Sequence, residues 1–184
     1  AYTTPPQIIL CGAGHVSKAI APIAKGLGFR VFVTDDRGEF ANCERFPEAD
    51  KCVVSVPEEA LSTLPINPNS FIIIATRGHR YDNVALMAAA KTPARYVGLL
   101  GSKRKAILIY EDLIREGISI ERIKGIHSPV GSDIHARTPN EIALSIMSEI
   151  LMFRLGGTGL PMKLDDRFID SIQDKFSETV ASPS

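Results

Sequence analysis

The chain has 184 residues, 45% of them hydrophobic, enough for one well-buried domain but with no run of 18 apolar residues to span a bilayer. Its 21 basic and 21 acidic residues cancel, which leaves no basic face for nucleic acid and no acidic tail. Three cysteines with no Cys-x-x-Cys pair argue against a disulfide framework, and an N-terminus without a signal-peptide pattern points to the cytoplasm.

Residues 1–6 carry two prolines and no pattern, and read as the end of a linker. Ile8 to Cys11 then form a buried apolar run that enters Gly12-Ala13-Gly14, after which Val16, Ile20, Ile23, Ala24 and Leu27 take helical spacing. Strand, tight turn and helix in that order are the first unit of a dinucleotide-binding fold, with Ser17 in place of the third glycine. Gly12, Ala13, Gly14, His15 and Val16 are the expected phosphate-binding segment: glycine lets the backbone approach, and the helix start meets the charge. Pro22 predicts a bend in that helix. Cys11 borders the turn, either as a reactive thiol or as a small buried hydrophobe, the second reading being preferred.

Phe29 to Thr34 reads as a second strand, and Asp35, Asp36 and Arg37 stand at its end. Asp35 lies where a carboxylate accepts hydrogen bonds from an adenosine ribose. The two acids favour NAD over NADP, and Arg37 is close enough to reverse that preference. Residues 37–51 read as a loop pinned by Phe40 and Phe46, followed by a short strand from Cys52 to Ser55 and a brief helix opened by Pro57. Phe71 to Ala75 is the clearest buried strand. Thr76 to Asp82 follows as a loop, with Asp82 as the expected cap of an Ala-rich helix ending at Lys91.

A strand from Arg95 to Leu99 leads to Gly101-Ser102-Lys103-Arg104, a second anion-binding helix start, and to a helix ending at Gly117. A last short strand is placed within Ile118 to Ile126. Thr138-Pro139-Asn140-Glu141 is a capping box that opens a helix running to Gly156. Residues 158–184 form a tail holding one short amphipathic piece, Asp165 to Phe176, which packs on a partner or frays; a homo-oligomer is left open.

Alternating strands and helices predict an α/β fold over residues 7–157: a doubly wound, mostly parallel sheet of order 3-2-1-4-5, with room for a sixth strand. Three loops then face one crevice at the C-terminal strand ends, Gly12 to Ser17, Thr76 to Asp82 and Leu100 to Arg104. Thr76, His79, Gly101, Ser102 and Lys103 join the cofactor-binding set, and His79 and Lys103 are weak catalytic candidates. His127, Asp133 and His135 are close in sequence but lack metal-ligand spacing, so no metal site is expected.

Together these blocks resemble the XdhC/CoxI family, the xanthine dehydrogenase accessory proteins. The resemblance is carried by residues 11–17, by Asp35-Asp36-Arg37 with Phe40-Ala41-Asn42 and Glu44-Arg45-Phe46-Pro47, by residues 96–105, and by residues 127–134 leading to 136–143, all collinear. It implies a C-terminal Rossmann domain of a maturation factor that binds molybdenum cofactor, shields it while a terminal sulfur is installed, and delivers it to a molybdenum hydroxylase apoenzyme. It also implies an upstream domain, and surfaces around the Rossmann crevice that meet the molybdoenzyme or a sulfur donor. Arg77 departs from a common histidine, and His135 from a usual glycine. The competing readings are an NAD(P)-dependent oxidoreductase using His79 or Lys103, and a regulatory nucleotide sensor.

Overall fold

A computed structural model describes residues 4–181. Six parallel strands, β1 (Gln7–Cys11), β2 (Arg30–Asp35), β3 (Lys51–Val54), β4 (Ser70–Ile74), β5 (Tyr96–Leu99) and β6 (Ile126–His127), form one sheet in the order β3-β2-β1-β4-β5-β6. The expected order holds, and the sixth strand exists. β1 lies at the centre and pairs on both sides, Gln7 standing opposite Arg30 and Ser70. β1 and β4 are buried at every residue, as a parallel sheet covered on both faces requires.

Seven helices complete the described residues: α1 (His15–Gly26), α2 (Pro57–Thr63), α3 (His79–Ala90), α4 (Lys103–Arg115), α5 (Ile120–Lys124), α6 (Pro139–Leu155) and α7 (Asp166–Val180). α1 and α6 pack against one face of the sheet, around Ile8, Leu10, Phe71 and Tyr96. α2, α3, α4 and α5 cover the other, around Ile9, Ile72, Ile74 and Leu86. α1 runs unbroken through Pro22.

The capping box of α6 is present: Thr138 Oγ1 accepts from Glu141 N at 3.2 Å, and Glu141 Oε2 accepts from Thr138 N at 2.9 Å. Gly156 ends that helix at φ +78°, a left-handed conformation that suits glycine.

Three expectations need correction. Of residues 118–126, expected to hold the last short strand, only Ile126 lies in β6, which continues to His127, and residues 120–124 form the helical turn α5. Ser119 Oγ accepts from Arg122 N at 3.2 Å, and this cap turns an Ile-rich stretch that looks strand-like into a helix. Asp82 does not cap α3, which begins at His79 with Gly78 before it and no side-chain cap. The amphipathic piece of the tail is a 15-residue helix reaching Val180, four residues past the expected end at Phe176, with none of its residues buried. Of the linker-like residues 1–6, the first three lie outside the described residues.

Candidate functional site

The loops after β1, β4 and β5 meet at the C-terminal edge of the sheet, where the chain leaves β1 for one face and β4 for the other. Gly12 makes this edge possible. It sits at φ +98°, and a Cβ there would fall on the Ala75 carbonyl oxygen, far inside contact distance. Gly14 behaves differently: no atom lies within 4 Å of where its Cβ would stand, so the space above the α1 start is open. Gly14 occupies the N-cap of α1, and no side chain caps that end. His15 is exposed and Val16 half-buried beside it, whereas Ser17 is buried and its hydroxyl donates to the Gly12 carbonyl. Serine at the third glycine position thus ties the turn to its own helix.

The loop is held from both sides at Ala13. Asp35 Oδ2 accepts from Ala13 N at 2.9 Å, and Arg45 Nη1 donates to the Ala13 carbonyl at 2.9 Å. Asp35 also receives Arg37 N at 3.0 Å and Nε at 2.9 Å on Oδ1, and Arg37 Nη2 at 3.0 Å on Oδ2. Two donors on each oxygen fill the carboxylate's acceptor sites. Burial by itself would raise the Asp35 carboxyl, but the hydrogen bonds from Arg37 and Ala13 outweigh it and hold the group at about 2. A ribose hydroxyl can bond Asp35 only by displacing Arg37. The Arg37 guanidinium lies over Phe40, 3.7 Å from the ring centroid, and is anchored there.

Asp36 is the more exposed acid and is paired with Arg77 Nη2 at 2.8 Å. Arg77 Nη2 also lies 2.7 Å from the Tyr81 hydroxyl, and its guanidinium sits over that ring. These contacts draw Gly12, Asp36, Thr76 and Tyr81 around a space of only about 10 Å³, room for one water. This side of the crevice, beside Asp35 and Asp36, is therefore narrow while Arg77 bridges it.

Thr76 and Asp82 form a separate tie. Asp82 is 1% exposed, and its Oδ1 accepts from Thr76 N at 3.0 Å and Thr76 Oγ1 at 2.6 Å. Lys105 forms an ion pair with its other oxygen, linking the start of α3 to α4. His79 is exposed at the first residue of α3, and no hydrogen bond among the described residues orients its imidazole.

On the far side of the crevice the loop after β5 and the loop before α6 enclose a hollow of about 460 Å³, lined by Gly101, Lys103, Ser132, His135 and Ser145 among others. Ser102 caps α4 by accepting from Lys105 N at 3.2 Å, and Lys103 is exposed beside it. His135 takes φ +55°, the one non-glycine residue with positive φ among those described. That conformation explains why glycine suits this position.

His127 stands apart from the crevice chemistry. Its Nδ1 is 2.9 Å from Glu149 Oε1, the Tyr96 hydroxyl donates to the same oxygen, and the two rings stack at 4.3 Å. Asp133 and His135 pair at 3.2 Å on the surface, and among the described residues no three metal-ligand side chains converge. Cys11 is fully buried, and burial pushes its thiol up to about 12, which makes it a core hydrophobe and no nucleophile.

The glycine loop, Asp35 to Arg37, Thr76 and residues 101–103 are thus gathered at one edge. Arg45 and Lys105, which fix the loops from behind, escape a reading of the residues by pattern. Both lie inside the blocks that carry the family resemblance, the one signal available for them.

Residues 8–150 match the XdhC Rossmann domain family. The chain is 39% identical over 155 residues to YqeB of Escherichia coli (strain K12), covering 84% of this chain and 28% of that protein. It is 32% identical over 149 residues to a probable xanthine dehydrogenase subunit of Bacillus subtilis (strain 168), covering 81% of this chain and 43% of the other. The crystal structure of a xanthine dehydrogenase from Bacillus halodurans superposes with a TM-score of 0.75 at 30% identity, over 84% of this chain and 46% of that one. The chain thus spans less than half the length of the relatives it matches.

Proposed function

Because this chain belongs to the XdhC Rossmann domain family, we propose that it is the nucleotide-handling part of an accessory factor for a molybdenum hydroxylase of the xanthine dehydrogenase type. Its ligand is a pyrophosphate-containing molecule, NAD, NADP or a dinucleotide-like molybdenum cofactor. The observation that carries this reading is the start of α1: an uncapped helix end beneath open space at Gly14, in a loop already fixed at Ala13. Backbone N–H groups there meet a diphosphate without rearranging the loop.

The residues accommodate the two ends of such a ligand unequally. The wide hollow beside Lys103 receives a bulky ring system as it stands. The adenosine side opens only when Arg77 leaves Asp36. An NAD(P)-dependent oxidoreductase is disfavoured, since neither exposed candidate, His79 or Lys103, is held in place for proton transfer. The apoenzyme, and a sulfur donor acting on it, are the partners this reading expects.

Mass spectrometry of the ligand that copurifies with the protein tests the proposal directly. A pyrophosphate-bearing nucleotide or pterin is the expected result. Gly14→Val should keep the fold, as its Cβ meets open space, and should abolish binding of that ligand in a calorimetric titration. A deletion strain should make its hydroxylase in normal amount but poorly active. Full hydroxylase activity in that strain, or robust NADH turnover lost in His79→Ala, would refute the accessory role.

A further inference from the structure

Two of the three cysteines stand together at the β3 edge of the sheet. Cys52 lies in β3 opposite Val33, and β3 has β2 as its one neighbouring strand. Side chains alternate along it: Val53 faces the α2 to α5 side, and Cys52 packs half-buried on the side of α1 and α6. The loop between β2 and β3 covers that same side through Phe40, Ala41, Phe46 and Ala49. Cys43 is exposed on a turn of this loop, which Arg45 N closes on Asn42 Oδ1 at 2.9 Å and Phe46 N on the Asn42 carbonyl at 3.1 Å. The turn brings the two thiols together, and Cys52 donates a hydrogen bond to the Cys43 sulfur. Neither is in a disulfide.

The two sulfurs are unequal. Burial, with the bond to Cys43, pushes the Cys52 thiol up to about 12, so Cys52 keeps its proton. Cys43 is the sulfur that a molecule in solution reaches. Cys11, fully buried at the end of β1, takes no part. An exposed thiol with a second, sheltered thiol against it has the arrangement of an attacking and a resolving cysteine.

We propose that Cys43 and Cys52 form a disulfide-exchange site whose co-substrate is a low-molecular-weight disulfide of the glutathione type. The Cys43 thiolate attacks one sulfur of the co-substrate, which breaks its S–S bond, leaves a mixed disulfide on Cys43 and expels one thiolate. Cys43 then no longer accepts the Cys52 proton. Cys52 releases that proton to water and its sulfur attacks Cys43 Sγ, expelling the second thiolate. Contact between the two sulfurs offsets the small thiolate fraction that burial leaves to Cys52. The protein gives up two electrons and two protons, and the co-substrate ends as two thiols. The new bond closes a ring over residues 43–52 that contains Arg45, the donor to the Ala13 and Phe40 carbonyls at 2.9 and 2.8 Å. Oxidation therefore clamps the strut behind the glycine turn.

Incubation of the reduced full chain with glutathione disulfide, followed by alkylation under denaturing conditions, trypsin digestion and mass spectrometry, tests this. Residues 38–45 and 52–77 should be recovered joined by one disulfide, with Cys11 alkylated. Cys52→Ser should stop at a glutathione adduct on Cys43, whereas Cys43→Ser should leave Cys52 unmodified over the same time. In the oxidised wild type, amide exchange across residues 43–52 should slow by about tenfold or more. The site is overturned by wild-type protein that keeps all its thiols, by a glutathione adduct that persists on Cys43, by a disulfide between chains, or by Cys52 reacting in Cys43→Ser as fast as Cys43 does in the wild type. The wild-type peptide map decides the pairing without any variant, and unchanged amide exchange after oxidation overturns the clamp.

Discussion

Asp35→Asn separates the two roles that this carboxylate can have. As a ribose acceptor it would contribute to ligand affinity and little to stability. Its four donors, Ala13 N together with the backbone and side chain of Arg37, make it a strut of the glycine loop. The shift from the ordinary value of 3.8 to about 2 sets the magnitude. At about 1.4 kcal/mol per unit, nearly two units correspond to about 2 kcal/mol. Asp35 is 5% exposed, so solvent screening takes little from that figure. A depressed carboxyl stabilises the fold above its unfolded-state value and loses that contribution as the pH falls toward the folded-state value. The wild type should therefore exceed Asp35→Asn by about 2 kcal/mol at pH 7, a Tm difference of roughly 4–8 °C. The gap should start to narrow below about pH 4 and close near pH 2. Urea unfolding of both proteins from pH 7 to pH 3, followed by fluorescence or circular dichroism, measures it. Equal stability at pH 7, with nucleotide binding lost in the variant, would refute the strut and return Asp35 to the ribose.

Further predictions concern the surroundings of that loop. Gly12→Ala meets both a left-handed backbone and the Ala75 carbonyl, and should cost about 3 kcal/mol in urea unfolding. Arg77→Ala removes the bridge to Asp36 and Tyr81, so adenosine monophosphate should bind about tenfold more tightly by calorimetry; unchanged affinity would show that Arg77 is no barrier. Glu149→Ala strands the buried Tyr96 hydroxyl and should cost about 2 kcal/mol at pH 7. Burial opposes the Glu149 charge, but bonds from His127 and Tyr96 outweigh it and keep the carboxyl below its usual value, so that deficit should shrink as the pH falls below about 4.

The elements with a local signal were legible in the sequence. The glycine turn, the buried runs of β1 and β4 and the capping box of α6 each rest on residues within a few positions of one another, so pattern alone places them. What pattern misses are the long-range ties. Asp82 has the spacing of a cap, yet its charge is met by Lys105 on another helix, and nothing within one turn of Asp82 announces that partner. Asp35 has the right offset for a ribose acceptor, but the offset says nothing of Arg37 folding back onto it or of Phe40 holding Arg37 there. The stretch from Ile118 to Ile126 misleads because isoleucine serves a strand or a short helix equally, and a single serine hydroxyl decides between them.

The central place of β1 sets an order of events during synthesis. Its first residue, Gln7, finds Arg30 early, but its other neighbour is Ser70, and the Gln7 side chain donates to the Pro65 carbonyl at 2.6 Å as well as to the Ser70 hydroxyl. Until the ribosome has delivered β4, the edge of β1 facing it has no backbone partner, and Ile8 to Leu10 remain partly wet. Pairing on the β4 side of the sheet therefore waits for a loop of more than sixty residues to close, a slow step for which an unpaired apolar edge is the hazard. A nascent chain stalled before residue 70 leaves that edge of β1 open to pairing with another chain.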